Sequence, residues 1–336
     1  QTKNNKKINR KNKKQLFEYW LQLPWERSIL TNENLLKLHK TMSENEDKKI
    51  TTKNSSPTTK TTPPPKQLNN PKGPPYSHPV YKKIAAANGR INRMSKSQVV
   101  DALEYLKLNP KGSLEVLQKR LKSHTKKQHF LENDFTEEEK KYTDFYIVID
   151  FEATCEKENP KGYQHEIIEF PAVLVDADTL EVVSEFHSYC RPLTNPILSK
   201  FCRDLTGITQ LTVESSSTFE TVLNRFDKWL KDQVTPDQKF VIVTDGPWDI
   251  DRFLKTQCKM SKMEIPHYFQ RWVNVRKHFN NFYKIHQVNV EQMLQCLGTE
   301  FVGRQHSGID DSRNIARIMI ELIKDGCQVI INETFR

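Results

Sequence analysis

Apolar positions alternate between strand-like runs and helical spacings through residues 140–336. Nearly continuous apolar runs predict strands, and apolar residues three or four apart predict helices. The predicted strands are 145–151, 167–175, 182–190, 239–244 and 272–276. The predicted helices are 196–205, 218–232, 248–258, 289–297 and 309–325. This alternation predicts a mixed α/β domain, and the short "DADTLE" connection makes the second and third strands an antiparallel hairpin.

Residues 76–130 form a predicted helical unit. Ser95 is a suitable N-cap, and "NPKGS" interrupts an apolar spacing that then resumes. The apolar positions are Val99, Leu103, Leu106, Leu114, Leu117 and Leu121. The second helix also carries Lys119, Arg120, Lys122, Lys126 and Lys127. This helix–turn–helix is too small for an enzyme, and its charge suits contact with phosphates; a solvated basic face is the alternative.

Residues 48–75 offer almost nothing that a folded domain could bury, whereas the pattern of residues 16–30 suits a short amphipathic element or docking segment interrupted by Pro24. Residues 1–75 are rich in Lys, Pro and Thr, and residues 48–75 have the composition of a linker. We therefore expect this region to be largely disordered. The lysine run near residues 3–14 is interpreted as a solvated tail, with a nuclear-localisation or RNA-contacting arm as the alternative.

Composition narrows the class of partner. The 336-residue chain has a net charge of +10 and a sequence pI near 9.1, which favours an anionic partner such as nucleic acid or an acidic membrane surface. No apolar run approaches the roughly 20 residues that span a bilayer. The six cysteines are scattered without a C-x-x-C pair, so we expect neither disulfides nor a zinc site. This cysteine usage favours a reducing compartment.

Candidate chemistry begins in "YIVIDFEATC", residues 146–155. Asp150 and Glu152 are two residues apart at the end of a predicted buried strand, so they point to the same side. Two like charges on one face need a positive partner. Asp249 and Asp311 follow at a second strand end and in the first turn of a later helix, where ligands collect in mixed sheets.

The middle segment, "VIVTDGPWDIDRFL", offers three aspartates. Asp245, Asp249 and Asp251 compete, and we favour Asp249 because it follows Trp248 at the predicted helix start. Asp245 is interpreted as a cap of the turn, and Asp251 as solvated.

Four carboxylates in one cleft predict a site for Mg²⁺ or Mn²⁺, which prefer oxygen ligands. Two such ions about 3.5–4 Å apart promote phosphodiester cleavage. His306, five residues before Asp311, is a candidate general base because an imidazole titrates near neutral pH.

"DFEAT", the "WD" before a helix and the His-x₄-Asp spacing resemble the three motifs of the DEDDh (DnaQ-like) 3′→5′ exonucleases. The unit "MSKSQVVDALEYLKLNPKGSLEVLQKRLKSH" looks like a SAP domain, and its position before these motifs is similar to the Eri-type exoribonucleases. The resemblance covers about residues 76–336. It implies an RNase H-like mixed sheet flanked by helices at 140–336, preceded by a SAP domain at 76–130.

The resemblance also implies roles for individual residues. Two Mg²⁺ ions, for which Mn²⁺ substitutes, would be held by Asp150, Glu152, Asp249 and Asp311, with Glu152 and His306 catalytic. The 3′-terminal nucleotide would contact Glu152, Ala153, Thr154, Phe201, Leu205, Trp248 and His306. Core packing is the alternative for the pocket residues of this set. Candidate RNA-contacting residues are Arg120, assisted by Lys111 and Lys122, and also Arg276 and Lys277, for which a solvated role is the alternative.

The function implied is a 3′→5′ exoribonuclease that releases nucleoside 5′-monophosphates from structured RNA. Candidate substrates are histone mRNA stem-loops, small interfering RNA-like duplexes and the 3′ end of 5.8S ribosomal RNA. Candidate partners are this RNA, histone stem-loop-binding protein and ribosomes, with no membrane, and the expected location is cytoplasm and nucleus, including the nucleolus. DNA degradation and a non-catalytic RNA-binding adaptor are the alternatives; the presence of all four carboxylates disfavours the adaptor.

Overall fold

A computed structural model describes residues 78–135 and 141–335, so the disorder predicted for residues 1–75 concerns residues outside the described ones. The strands are β1 Phe145–Val148, β2 Glu152–Ala153, β3 Ile167–Asp176, β4 Val182–Arg191, β5 Ser217–Thr218, β6 Phe240–Thr244, β7 Arg271–Asn274 and β8 Glu333–Thr334. The α-helices are α1 Pro79–Ile91, α2 Lys96–Tyr105, α3 Leu114–Glu132, α4 Lys200–Thr206, α5 Gln210–Glu214, α6 Phe219–Gln233, α7 Lys255–Met260, α8 Val275–Tyr283, α9 Val290–Leu297 and α10 Gly308–Lys324. A π-helix, Asp249–Leu254, precedes α7, and a 3₁₀ turn spans His267–Phe269.

The strands form one mixed sheet in the order β5-β4-β3-β1-β6-β7-β8, with β2 paired to β3. β1 runs antiparallel to β3 and parallel to β6, which is itself parallel to β7. The predicted hairpin is confirmed, because β3 and β4 pair antiparallel on either side of "DADTLE". The predicted mixed α/β architecture is therefore confirmed.

Helices cover both faces of the sheet. Along β1, Ile147 packs into a core with Phe226 of α6, whereas its neighbour Val148 packs into the opposite core with Met319 of α10. A strand buried on both faces has no polar alternation, which explains why its sequence is continuously apolar. Because β1 is held between the two cores, the position of its C-terminal end is fixed, and Asp150 lies just beyond that end.

Three α-helices, α1, α5 and α8, were not predicted. The helical unit contains α1 as well as the expected pair, and the segment predicted as strand 272–276 leaves the sheet at Asn274, whose side chain caps α8. Val275, Phe279 and Tyr283 are buried at four-residue spacing, so the apolar run combines a strand end with a helix start. Among the described residues, no helix combines the length and the apolar character needed to cross a bilayer.

The structure contradicts a surface role for Arg120. This residue lies in α3 but is only 5% exposed. Its Nε donates to Asp325 at 2.7 Å, and its Nη1 donates to the carbonyl oxygen of Asn109 at 2.7 Å. Tyr283 donates to the other Asp325 oxygen at 2.8 Å. The guanidinium therefore joins the helical unit to the rest of the protein and is not available to an RNA phosphate.

Replacing Arg120 by alanine is expected to destabilise the fold, because Asp325 would remain buried without its cation. Breaking a buried ion pair in this way costs about 3–5 kcal/mol. Urea unfolding of Arg120→Ala and of the half-exposed neighbour Lys122→Ala measures this difference. Unchanged stability combined with weaker RNA binding by Arg120→Ala would restore the original prediction.

Candidate metal and nucleotide site

The predicted acidic ligands come from three parts of the fold that meet at one end of the sheet. Asp150 follows β1, Glu152 lies in β2, and Asp311 lies in the first turn of α10. Oxygen atoms of these three carboxylates lie within 4.8 Å of one another. Asp249 starts the π-helix, and its Oδ1 accepts the backbone N–H of Phe151, between the first two acids, at 2.9 Å.

The other aspartates of the middle segment have partners elsewhere. Asp245 is buried and forms an ion pair with the guanidinium of Arg276, whose Nε donates to it at 3.2 Å. Asp251 lies on the surface, where Lys255 contacts its carboxylate at 3.2 Å. Their surroundings favour Asp249 as the middle ligand, which remains a prediction.

The four acids repel one another, and among the described residues only Asp249 has a nearby cation, Arg276, that lowers its pKa. Burial, and then the neighbouring carboxylates, raise the pKa of Asp150 and Glu152 well above their ordinary values. Burial is also the main cause that raises the pKa of Asp249 and of Asp311 to about 7. Oδ2 of Asp311 is buried without a hydrogen-bond partner among the described residues. An unpartnered oxygen within a buried acidic cluster fits a hard divalent cation.

These pKa shifts predict how pH and metal act on stability. The pKa of the Asp311 carboxyl is raised from 3.8 to about 7 in the folded protein. Such a group contributes stability that is present at low pH and is lost as the pH rises through 7. Replacing one of these acids by a neutral residue should therefore raise the stability of the metal-free protein more at pH 8 than at pH 5.

Thermal melting of wild type and Asp311→Asn in EDTA from pH 5 to 8 measures this difference. The comparison between variants is needed because burial lowers the pKa of His165 and His278, which acts in the opposite direction. Mg²⁺ should raise the wild-type melting temperature more at pH 8 than at pH 5. A pH-independent difference between the two proteins would contradict the electrostatic argument.

His306 lies in the loop before α10, with an exposed side chain. Its backbone φ is +61°, an uncommon conformation for a residue other than glycine and one that often marks a functional position. Desolvation by nearby protein atoms, and then Arg304, lower the pKa of His306 although the residue is exposed. A lowered pKa favours the neutral imidazole that a general base requires.

The predicted nucleotide pocket presents exposed aromatic surface. Trp248 is 56% exposed and Phe201 38% exposed, so core packing does not explain these two residues. The guanidinium of Arg252 lies 4.2 Å from the centre of the Trp248 ring. Leu205 is half-buried.

Two other predicted pocket residues are largely enclosed. Ala153 and Thr154 are buried, and the Thr154 hydroxyl accepts the N–H of Glu166 at 3.0 Å. We therefore expect them to act through their backbone.

The remaining basic candidates lie in different surroundings. Lys111 is exposed in the turn before α3, and Lys122 is half-exposed on that helix. Lys277 is exposed on α8. Arg276 is already paired with Asp245, so we assign it first to holding that carboxylate. The three lysines remain predictions for RNA contact.

Three residues with buried or bridging contacts near the site were not singled out from the sequence. Glu169 and Glu166 are buried acids in β3 or just before it, and Glu166 accepts the backbone N–H groups of Leu193 and Thr194. Arg304 donates to the carbonyl oxygen of Leu205 at 3.0 Å and so connects the His306 loop to α4. Acidic residues inside the apolar run "HEIIEFP" were the signal that could have revealed the first two.

Comparison with known proteins gives consistent matches. An exonuclease family, RNase_T, matches residues 147–319. The 3′-5′ exoribonuclease 1 of Mus musculus is 45% identical over 264 residues, which cover 78% of this chain and 76% of the mouse protein.

Two solved structures are also similar. One, of 3′-end-specific recognition of a histone mRNA stem-loop by a 3′-exonuclease, has a TM-score of 0.58 at 44% identity and covers 78% of this chain and 91% of that chain. The other is the nuclease domain of 3′hExo, a DEDDh family member, bound to rAMP. It has a TM-score of 0.57 at 45% identity and covers 58% of this chain and 98% of that chain.

Proposed function

We propose, from the premise that this chain belongs to the Eri family of DEDDh 3′-5′ exoribonucleases, that it shortens structured RNA from its 3′ end. The observation that carries the proposal is the meeting of Asp150, Glu152 and Asp311 at one end of the sheet, with Asp249 bonded to the backbone between the first two. A related exonuclease recognises the histone mRNA stem-loop, which supports a stem-loop substrate. Another relative was solved with rAMP, which supports nucleoside 5′-monophosphates as products.

Membership of the DEDDh family implies a divalent metal, and we propose two Mg²⁺ ions, for which Mn²⁺ substitutes. Asp150, Glu152, Asp249 and Asp311 would hold them through carboxylate oxygens. When bound, such ions neutralise charge on the scissile phosphate and lower the pKa of water. His306 accepts the proton of the attacking water at its ring nitrogen. Trp248 and Phe201 stack on the terminal base, which suits an enzyme that accepts every base.

The helical unit within residues 76–130 is proposed to act as a SAP domain that binds the RNA stem. Of its basic residues, Lys111 is exposed and Lys122 is half-exposed. Small interfering RNA-like duplexes and the 3′ end of 5.8S ribosomal RNA are further proposed substrates. Histone stem-loop-binding protein and ribosomes are the proposed partners, and the proposed location is the cytoplasm and nucleus.

The test uses a 5′-labelled stem-loop RNA with a single-stranded 3′ flank, together with the DNA of the same sequence. We expect stepwise shortening of the RNA in Mg²⁺, no shortening in EDTA, and nucleoside 5′-monophosphates among the products. Faster loss of the DNA would favour a DNA exonuclease. Tight RNA binding without cleavage would favour a non-catalytic adaptor.

A further inference from the structure

Glu169 is a buried carboxylate that the chemistry described above does not use. It lies in β3 and is 1% exposed. Its Oε2 accepts the N–H of Gly308 at 3.0 Å, and its Oε1 accepts the N–H of Ile309 at 3.1 Å. Nε2 of His187, on β4, lies 2.8 Å from Oε1. Glu169 therefore binds the first turn of α10, the helix that carries Asp311.

The same residue also lies beside the other half of the acidic site. Glu169 is the register partner of Glu152 in the pairing of β2 with β3. At Gly308, an added Cβ would lie 2.6 Å from the carbonyl oxygen of Asp150, so the start of α10 packs directly on the strand end. Glu169 thus joins the two segments that provide Asp150 and Glu152 on one side and Asp311 on the other.

This position is unfavourable for a carboxylate unless its contacts compensate. Glu169 is one of the like charges that raise the pKa of Glu152 and of Asp311. Two backbone N–H groups and the positive end of the α10 dipole offset that repulsion. A neutral residue would avoid the repulsion but would leave these N–H groups without their acceptor.

We infer that Glu169 is a positioning residue that fixes Asp311 and His306 relative to Asp150 and Glu152. The inference rests on the proposed function, because it assigns these four residues to metal binding and proton transfer. This role depends on the length of the Glu169 side chain, because the carboxylate must reach the N–H groups of both Gly308 and Ile309 from β3. Shortening the side chain by one methylene should therefore misplace α10 even though the charge is kept.

The experiment compares Glu169→Asp and Glu169→Gln with wild type. Calorimetric titration with Mn²⁺ in the absence of RNA measures metal affinity, and steady-state cleavage measures kcat and KM. We expect both variants to bind Mn²⁺ about 10–100-fold more weakly, the usual effect of removing a supporting contact to a metal ligand. We expect kcat to fall while KM for RNA stays within about twofold.

Glu185→Gln is the matched control, because Glu185 on β4 also contacts α10, through Arg313 at the surface. It should match wild type in metal affinity and kcat. Wild-type metal affinity and kcat in Glu169→Asp, with only a lower melting temperature, would overturn the inference. A loss of Mn²⁺ affinity and kcat in Glu169→Gln but not in Glu169→Asp would also overturn the inference. The charge of Glu169, and not its placement of α10, would then be what the site requires.

If neither Glu169 variant folds, a substitution of His187 tests the inference instead. His187→Ala removes one contact to the carboxylate and keeps both helix N–H bonds. A loss of about 3–10-fold in Mn²⁺ affinity, the effect of one hydrogen bond, supports the inference, and an unchanged affinity overturns it. Failure of the proposed function is distinguishable, because wild type would then bind Mn²⁺ but cleave no RNA.

Discussion

Replacing Asp150 by asparagine is expected to lower the rate of RNA cleavage by about 10³-fold, the upper end of what one electrostatic group contributes to a transition state. The amide keeps the shape of the side chain but removes the charge from the centre of the acidic cluster. Burial, and then the charges of Asp249 and Asp311, raise the pKa of Asp150, which places this carboxylate within the acidic cluster. Single-turnover cleavage of a labelled stem-loop RNA measures the loss.

RNA binding by Asp150→Asn should stay close to wild type, because the helical unit and the aromatic pocket are unchanged. The metal-free variant should also melt at a higher temperature than wild type, since one of several buried like charges is gone. Asp251→Asn is the control: it lies on the same π-helix as Asp249 but pairs with Lys255 at the surface. Equal loss of cleavage in both variants would contradict the assignment of ligands.

Replacing His306 by asparagine is expected to lower kcat by about 10²–10⁴-fold, the usual contribution of a general base. Asparagine is the appropriate substitute because it tolerates the left-handed backbone of this position, whose φ is +61°. It cannot take up a proton near neutral pH. His267→Asn, on an exposed 3₁₀ turn, is the control and should retain activity.

The pH profile separates a base from a residue that only shapes the loop. Desolvation lowers the pKa of His306, so at saturating Mg²⁺, where the acids are held ionised, wild-type kcat should fall at acidic pH as the imidazole becomes protonated. His306→Asn should lose this dependence. An unchanged acid limb in the variant would assign the titration to another group.

Local patterns were sufficient to predict most of the sheet and to single out acids that the fold brings to one end of it. The continuous apolar run of β1 predicted a strand buried on both faces, and its end placed Asp150 and Glu152 together. Asp249 was selected from three aspartates by its place at a helix start. These inferences succeeded in locating elements because each depends on residues close in sequence.

Contacts between distant residues could not be read in the same way. Arg120 belongs to a basic run, yet it is buried because Asp325, 205 residues further along, faces it in the fold. Glu169 could be noticed only as an acid within an apolar strand, because its partners, Gly308 and Ile309, are 139 and 140 residues away. The helix at 275–283 was missed because its apolar spacing begins inside a strand-like run. The missing information in all three cases is tertiary packing.

Crystals soaked in Mn²⁺, with diffraction recorded at the manganese absorption edge, give the most direct measurement. Two anomalous peaks are expected among the carboxylates of Asp150, Glu152, Asp249 and Asp311, and at least one of them should be lost in Asp150→Asn. Manganese bound elsewhere, or an acidic cluster that stays without a peak at saturating Mn²⁺, would contradict the assignment of these ligands.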